Sequence, residues 1–151
     1  MGLLESTPPE GFTGNEPVIS VAAAGLNEEW TASYWWRTTD VPDPSDVANY
    51  YITDFSSRSI SAKQDLDVAA PGSWIVGPYQ KNGQLSYYYL GGTSMASPHV
   101  AGIVALMAQK DKTLTADEAE GILEDSAIIL APGCRTVNDG NGAMVEYCWD
   151  A

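Results

Sequence analysis

The sequence has little histidine, cysteine or positive charge. Its 151 residues include one histidine and two cysteines, and seven basic residues stand against 20 acidic ones, giving a formal net charge of −13. Such a charge repels phosphate backbones and anionic lipids, so neither nucleic acid nor a membrane is expected as a partner. Two cysteines without a Cys-x-x-Cys spacing, with one distant histidine, do not predict a zinc site.

Long apolar runs are absent as well. No stretch approaches the roughly 18 apolar residues of a membrane-spanning helix, and the first residues lack the charged and apolar regions of a signal peptide. The hydrophobic content of 44% suffices for one globular core, and no linker divides the chain. Residues 1–151 are therefore expected to form one domain or part of one.

The clearest functional pattern is residues 91–102, Gly-Gly-Thr-Ser-Met-Ala-Ser-Pro-His-Val-Ala-Gly. Glycines allow close backbone approach, and Ser94 lies where a strand gives way to an apolar helix. Pro98 is tolerated because N–H groups of the first helical turn have no helical partner. The helix dipole and these amides favour developing negative charge. Acyl transfer needs such an exposed hydroxyl beside a backbone N–H, so Ser94 is the candidate nucleophile.

Residues 92–102 resemble the serine motif of the subtilisin-like serine proteases. Residues 18–24 resemble an inner strand of that family, and residues 54–58 with 66–72 resemble the strand and turn before the serine hairpin. The resemblance runs from about residue 17 to residue 151. It implies a three-layer α/β fold with a mostly parallel sheet, of which this chain is the C-terminal part. It also implies a serine endopeptidase that hydrolyses peptide bonds through an acyl-enzyme on Ser94.

The resemblance assigns supporting roles around the nucleophile. Thr93 and the N–H of Ser94 would support the oxyanion. The leaving-group side of the cleft would be lined by four residues that flank the serine: Leu90, Gly91, Gly92 and Met95. No cofactor is required for this chemistry, and the expected partner is a protein or peptide substrate.

Two further sites follow from the resemblance. Asp65 and Asp67 fall where some subtilisin-like enzymes hold a weak cation site, and carboxylates suit a structural Ca²⁺; solvated acids at a strand edge are the alternative. Because the family is mostly exported, a secreted or extracellular location is expected, with a disulfide between Cys134 and Cys148. The residues alone also allow two reduced thiols.

The remaining catalytic groups have no match in the chain. His99 lies five positions after Ser94, about 140° round the helix and about 7.5 Å along it, whereas facing pairs are three or four apart. We expect His99 to pack and bond locally. The triad Asp and His belong to upstream segments, and Asn15 lies too close to the strand at 18–24 to be the oxyanion asparagine. The chain alone is expected to be inactive.

Three hypotheses therefore stand. The chain is the serine-bearing part of a protease whose N-terminal half is missing, a non-catalytic binding or inhibitory module derived from one, or one half of a split enzyme. The last would need the N-terminal half of the catalytic domain as its partner.

Periodicity predicts the elements on either side of Ser94. Apolar runs at 18–24 and 66–70 predict buried strands of a parallel sheet. Residues 73–90 predict a hairpin that turns at Asn-Gly. Residues 94–109 are apolar nearly all round and predict a buried helix.

The two ends of the chain add further expectations. Thr115 and Glu118 predict a capping box, with the core face of its helix formed by Ala119, Ile122 and Leu123. Residues 140–146 predict a turn and a final strand. An insertion at about 26–53 carries six aromatic residues. It is expected to fold back as a satellite apolar cluster, with a substrate-contacting flap as the alternative.

Overall fold

The computed structural model describes residues 18–27, 45–58, 66–138 and 143–149, which form two helices and seven strands. The helices are α1 (Thr93–Lys110) and α2 (Ala116–Ser126), and one 3-10 turn spans Val47–Asn49. The strands are β1 (Val21–Leu26), β2 (Tyr50–Ile52), β3 (Val68–Pro71), β4 (Ile75–Lys81), β5 (Gln84–Leu90), β6 (Gly133–Asn138) and β7 (Met144–Trp149).

A small sheet of order β2-β1-β3 lies behind the serine. β1 runs parallel to β3, with Ala23 beside Ala70, and antiparallel to β2, with Gly25 opposite Tyr51. The alanines of β1 have short side chains, so neighbouring elements pack closely on both faces. Gly25 is required for the same reason, because a methyl group there would lie 2.6 Å from the Tyr51 ring.

Each face of this sheet carries its own apolar cluster. α1 packs on β1 and β3, and the first cluster joins Ala23, Ala70, Ala96, Val100 and Leu123. β7 packs beside β2 on the other side, and the second cluster joins Tyr51, Ile52, Val137 and Trp149. The sheet therefore has helices on one face and the β6–β7 ribbon on the other. The strand predicted at 18–24 is confirmed only from Val21 onward, where Ala22 and Ala23 are buried, whereas Val18 precedes β1 and is 63% exposed.

The predicted Asn-Gly hairpin is confirmed. β4 and β5 pair antiparallel from Ile75 and Leu90 to Lys81 and Gln84. Asn82 and Gly83 have φ of 51° and 78°, the positive values that a two-residue turn of type I′ requires.

The α/β expectation is met in its coarse part, because helices and strands are both present. Its finer part is not: among the described strands, only β1 and β3 pair in parallel, and the other three pairings are antiparallel. Short connections explain the pairings β4–β5 and β6–β7, since strands joined by tight turns can only pair antiparallel. β2 pairs antiparallel with β1 although residues 27–49 separate the two strands. An apolar run in the sequence does not show whether the neighbouring strand pairs with it in parallel or antiparallel.

α1 matches the helix predicted at 94–109 in extent but not in burial. Its buried residues are Thr93, Ala96 and Val100, whereas Ile103 and Leu106 are 47% and 66% exposed. The prediction of a helix buried all round is therefore wrong for the described part of the chain. No helix in the described ranges is long and apolar enough to cross a membrane.

α2 begins at the predicted capping box. Thr115 Oγ1 accepts from the Glu118 N–H at 3.3 Å, and the Glu118 carboxylate accepts from the Thr115 N–H at 2.8 Å. The Thr115 hydroxyl also donates to this carboxylate at 2.8 Å, and the two bonds that the carboxylate accepts, the one from the backbone first, lower the pKa of Glu118. Ala119 and Leu123 are buried as predicted, but Ile122 is 49% exposed.

Of the predicted insertion at 26–53, only residues 26–27 and 45–53 are described. Tyr51 is 5% exposed and belongs to the second apolar cluster, so the end of the insertion folds back onto the sheet. Residues 28–44, which include Trp30, Tyr34, Trp35 and Trp36, lie outside the described residues, as does Asn15.

Candidate active site

Ser94 is an exposed residue in the first turn of α1. The helix starts where the hairpin ends, because Gly92 adopts φ 154° and ψ 162°, a conformation that is essentially restricted to glycine. The Gly92 carbonyl accepts from the N–H groups of Met95 and Ala96, at 2.9 and 3.3 Å, and so closes the first turn. The serine therefore lies at the positive end of an 18-residue helix.

Main-chain hydrogen bonds attach this turn to the sheet. The Gly92 N–H donates to the Gly72 carbonyl at 2.8 Å, and the Gly72 N–H donates to the Ala24 carbonyl at 2.9 Å. A methyl group on Gly72 would lie 2.6 Å from the Ala23 Cβ and 2.9 Å from the Gly92 carbonyl oxygen. The absence of a side chain at Gly72 thus lets the serine turn lie directly on β1. The sequence predicted a strand at 66–70 and a family resemblance at 66–72, but it did not identify this contact.

Polar side chains of residues 53–58 form hydrogen bonds that hold Ala23 of β1 in place. The sequence patterns assigned no role to these side chains. Thr53 is 1% exposed and donates from Oγ1 to the Ala23 carbonyl at 3.1 Å. The Ser56 Oγ accepts from the Ala23 N–H at 2.8 Å and donates to the Ser57 carbonyl at 3.0 Å. Arg58 closes the segment by donating to the Thr53 carbonyl at 2.8 Å. The sequence signal for these hydrogen bonds was the occurrence of three polar residues, Thr53, Ser56 and Arg58, shortly after an apolar strand.

The four residues assigned to the leaving-group side lie around the serine turn. Leu90 ends β5 opposite Ile75 and is partly buried, as are Gly92 and Met95. Gly91 is exposed, and a methyl group there would lie 3.4 Å from Phe55 Cζ. Phe55 is 50% exposed. It is an apolar neighbour of the turn that the sequence did not assign.

His99 bonds locally, as expected, but it is exposed rather than packed. Its Nδ1 lies 2.7 Å from the Met95 carbonyl oxygen, one helical turn earlier. With Nδ1 donating, the other ring nitrogen is the acceptor. The ring is held toward its own helix, and His99 is the one histidine in the sequence.

Asp67 lies in a group of carboxylates between the start of β3 and α2. Its Oδ2 accepts from the Ser20 N–H, and carboxylate oxygens of Asp67, Glu120 and Glu124 lie within 4.8 Å of one another. Burial, together with the charges of Asp67, Glu124 and Asp117, raises the pKa of Glu120. Such hard oxygen donors suit Ca²⁺. Asp65, the other predicted ligand, lies outside the described residues.

Cys134 and Cys148 face each other across the β6–β7 ribbon and are joined by a disulfide. Both residues are exposed. The bond lies on the face of the ribbon opposite Val137 and Trp149, which are buried against β2. The disulfide joins the last two described strands, and neither cysteine belongs to the serine turn.

The sequence is similar to those of known proteases. The model of the subtilase family matches residues 11–147. Thermitase of Thermoactinomyces vulgaris is 44% identical over 116 residues, covering 77% of this chain and 39% of thermitase. An extracellular protease of Xanthomonas campestris pv. campestris is 43% identical over 74 residues, covering 46% of this chain and 13% of that protein.

A solved structure gives a further match. A cold adapted subtilisin-like serine proteinase is 31% identical, with a TM-score of 0.42, over 63% of this chain and 30% of that one. Measured against thermitase, the chain spans about two fifths of the relative's length.

Proposed function

The chain belongs to the subtilase family, and from this premise we propose that Ser94 is the nucleophile of a serine endopeptidase. The hydroxyl gives its proton to a general base as its oxygen attacks the carbonyl carbon of a peptide bond. The protonated base then gives this proton to the amine as it leaves, and water hydrolyses the acyl-enzyme. The supporting observation is the exposed position of Ser94 in the first turn of α1, on a main chain fixed to the sheet through Gly92 and Gly72.

The turn also supports charge stabilisation. Thr93 is 9% exposed and begins the helix beside Ser94, so the developing oxyanion would lie at the positive end of the helix dipole. Leu90, Gly91, Gly92 and Met95 would line the leaving-group side, with Phe55 beside Gly91. No cofactor enters these steps. If a structural Ca²⁺ is bound, the carboxylates of Asp67, Glu120 and Glu124 are the described residues that would hold it.

The general base is proposed to come from a segment that this chain does not contain. The one histidine bonds to the Met95 carbonyl, and the chain spans 39% of thermitase. The exposed face of α1 with Ile103 and Leu106 is the surface on which we place the complementary part of the domain. By itself the chain is expected to be inactive, because a serine hydroxyl without a base is a poor nucleophile at neutral pH.

A secreted location is proposed with this function. The disulfide between Cys134 and Cys148 supports an oxidising compartment. The relative from Xanthomonas campestris named as an extracellular protease points the same way.

A fluorophosphonate probe tests the assignment. The chain is mixed with the part of thermitase that it does not cover, labelled, and mapped by peptide mass spectrometry. We expect labelling at Ser94 only in the mixture, and none in Ser94→Ala. Ser97→Ala serves as the matched control because Ser97 lies in the next turn of α1, and it should keep the label. Labelling at another residue would refute Ser94 as the nucleophile.

The position of His99, the one histidine of the sequence, which bonds to the Met95 carbonyl, also favours a second function, a non-catalytic binding or inhibitory module. Peptide binding without turnover distinguishes the two. The module is the correct function if the mixture is never labelled and if the chain and its Ser94→Ala variant inhibit an intact subtilisin equally well.

A further inference from the structure

One face of the β6–β7 ribbon gathers three side chains that ligate metals. Cys134 lies directly opposite Cys148, and Glu146 lies two residues before Cys148 on the same face of β7. One sulfur or carboxylate oxygen from each lies within 4.8 Å of the others. All three residues are exposed, so an ion can reach them from solvent.

We propose that the reduced ribbon binds a soft divalent cation such as Zn²⁺ through Cys134, Cys148 and Glu146, and that the disulfide excludes the ion. A dithiol reductant supplies two electrons and two protons, which convert the S–S bond to two thiols while the reductant becomes its own disulfide. Binding of the cation then releases both thiol protons and forms two metal–thiolate bonds. The disulfide and the metal site are two states of the same pair of sulfurs.

The carboxylate of Glu146 already lies near the spacing that a tetrahedral ion requires, and the two sulfurs, bonded to each other in the structure, reach that spacing after reduction. Zn–S bonds of about 2.3 Å and Zn–O bonds of about 2.0–2.2 Å place the sulfur and oxygen ligands about 3.5 Å apart. The Cys148 sulfur and the Glu146 Oε2 are 3.9 Å apart. After reduction, rotation about χ1 separates the two sulfurs. Solvent supplies the fourth ligand at this exposed face.

The ribbon has contacts that do not depend on the disulfide. On its other face Val137 and Trp149 are 2% and 5% exposed. The Tyr147 ring stacks on Tyr51 with centroids 5.4 Å apart, and the Trp149 indole N–H donates to the Ala131 carbonyl at 2.9 Å. These contacts keep β6 and β7 side by side when the S–S bond opens.

The choice of ion follows from the donor atoms. Thiolates favour zinc and other soft cations over Ca²⁺ and Mg²⁺, which prefer oxygen. The carboxylates of Asp67, Glu120 and Glu124 offer oxygen only. The chain therefore offers two candidate sites of different chemistry for comparison. Ca²⁺ should not compete with Zn²⁺ for the site that contains the two sulfurs.

The experiment uses the full chain, oxidised or reduced under nitrogen with the reductant removed, and titrates it with Co²⁺ and then Zn²⁺. The reduced chain should bind one Co²⁺ with a sulfur-to-cobalt charge-transfer band, which Zn²⁺ removes and Ca²⁺ does not. The oxidised chain should show no such band. Zn²⁺ at about a hundred times its Kd should favour reduction about a hundredfold, a shift of about 59 mV to more positive midpoint potential.

Variants separate the site from a general attraction of cations. Glu146→Gln should weaken Zn²⁺ binding at least about tenfold, since even an outer-shell partner is typically worth that much. Asp125→Asn removes the same charge from an exposed position on α2 and should leave the affinity unchanged. Cys134→Ser combined with Cys148→Ser should abolish the band.

Three outcomes would overturn the proposal. One is equal binding by the oxidised and reduced chains, and another is unchanged affinity in Glu146→Gln. The third is a reduced chain in which the amides of β6 and β7 lose their protection from hydrogen exchange and Zn²⁺ does not restore it. None of these measurements uses peptidase activity, so the result is independent of the role proposed for Ser94.

Discussion

Gly72 links β1 to the serine turn, because its N–H donates to the carbonyl of Ala24 in β1 and its carbonyl accepts from the N–H of Gly92. Thr53 and Ser56 hold the adjoining residue, Ala23, from behind. At the scale of single residues, the position of Ser94 thus rests on glycines and small polar groups rather than on large apolar side chains. Because these small residues pack closely, adding a single methyl group should disturb the position of Ser94.

Gly72→Ala is expected to destabilise the chain by about 1–3 kcal/mol, the usual cost of overpacking. The added methyl would lie 2.6 Å from the Ala23 Cβ and 2.9 Å from the Gly92 carbonyl oxygen. Gly77→Ala is the control, since nothing lies within 4 Å of a methyl group there. Urea unfolding of both variants measures the difference, and equal midpoints would contradict the close approach.

Glu120 predicts a pH dependence of stability. Its pKa in the folded chain is raised above the ordinary value of 4.5, so folding favours the protonated carboxyl. Below pH 4.5 both states are protonated and nothing is lost; stability falls as the pH rises from there through the raised folded pKa. Glu120→Gln should remove this fall and stabilise the chain near neutral pH by about 0.5 kcal/mol, the size of a like-charge i, i+4 pair.

Thermal unfolding at several pH values tests the Glu120 prediction. Asp125→Asn removes an equal charge from an exposed position on the same helix and should keep the wild-type pH profile. A profile for Glu120→Gln that coincides with wild type would show that the carboxylates of Asp67 and Glu124 do not interact with Glu120.

At the scale of elements, local patterns were the reliable part of the sequence. The Asn82-Gly83 turn and the capping box of α2 are specified by a few adjacent residues, and both were predicted correctly. The β6 strand and the direction of strand pairing were not. The direction of strand pairing depends on connections between distant segments, and the burial of α1 depends on the elements that cover it. The periodicity of a single segment therefore predicts neither property.

The same distinction applies to the candidate site. Ser94 and its helix could be predicted because one continuous motif carries them. The contact of Gly72 with Ala23 joins segments 49 positions apart by residue number, and the approach of Glu146 to Cys134 depends on strand register. No local pattern encodes either of these.

Thr115→Ala should destabilise the chain by about 1 kcal/mol, because it removes the side-chain cap of α2. The hydroxyl oxygen of Thr115 accepts from the Glu118 N–H at 3.3 Å. Thr115→Ser keeps a hydroxyl and should remain close to wild type. Chemical denaturation of the three proteins gives the comparison, and equal losses for the alanine and serine substitutions would contradict a capping role.

Leu106→Lys is expected to prevent the fluorophosphonate labelling that the complementary part of thermitase restores. Leu106 is 66% exposed on α1, and a lysine there would place a charge in the proposed contact. Leu85→Lys is the control, because Leu85 is 78% exposed near the tip of the β4–β5 hairpin. Labelling that survives Leu106→Lys but not Leu85→Lys would move the docking surface to the hairpin.

At the scale of the whole molecule, a small sheet separates two apolar clusters, and the ribbon that carries the disulfide covers the second. The chain carries a net charge of −13, so copies of the molecule repel one another electrostatically. The exposed apolar side chains of α1, by contrast, favour contact with another apolar surface. Both features suit a part of a larger subtilase domain, and the disulfide adds a constraint that spans the end of the described chain.

The disulfide should form when the chain is exported to an oxidising compartment. Alkylation without prior reduction should then modify neither Cys134 nor Cys148, as read by mass spectrometry. Reduction should lower the free energy of unfolding by roughly 3 kcal/mol, the chain-entropy value for a loop of about 15 residues. The cysteines are 14 positions apart. Two alkylated cysteines in exported protein would contradict this prediction.

The hydrogen bonds from Gly92 to Gly72 and from Gly72 to Ala24 involve main-chain atoms alone. Side chains beside the serine, such as Leu90 and Met95, can therefore be exchanged without altering the groups that fix its position. Under the proposed function, substrate preference and nucleophile placement are therefore separable traits in evolution. A lineage or a directed-evolution library can explore the first through side chains while inheriting the second intact.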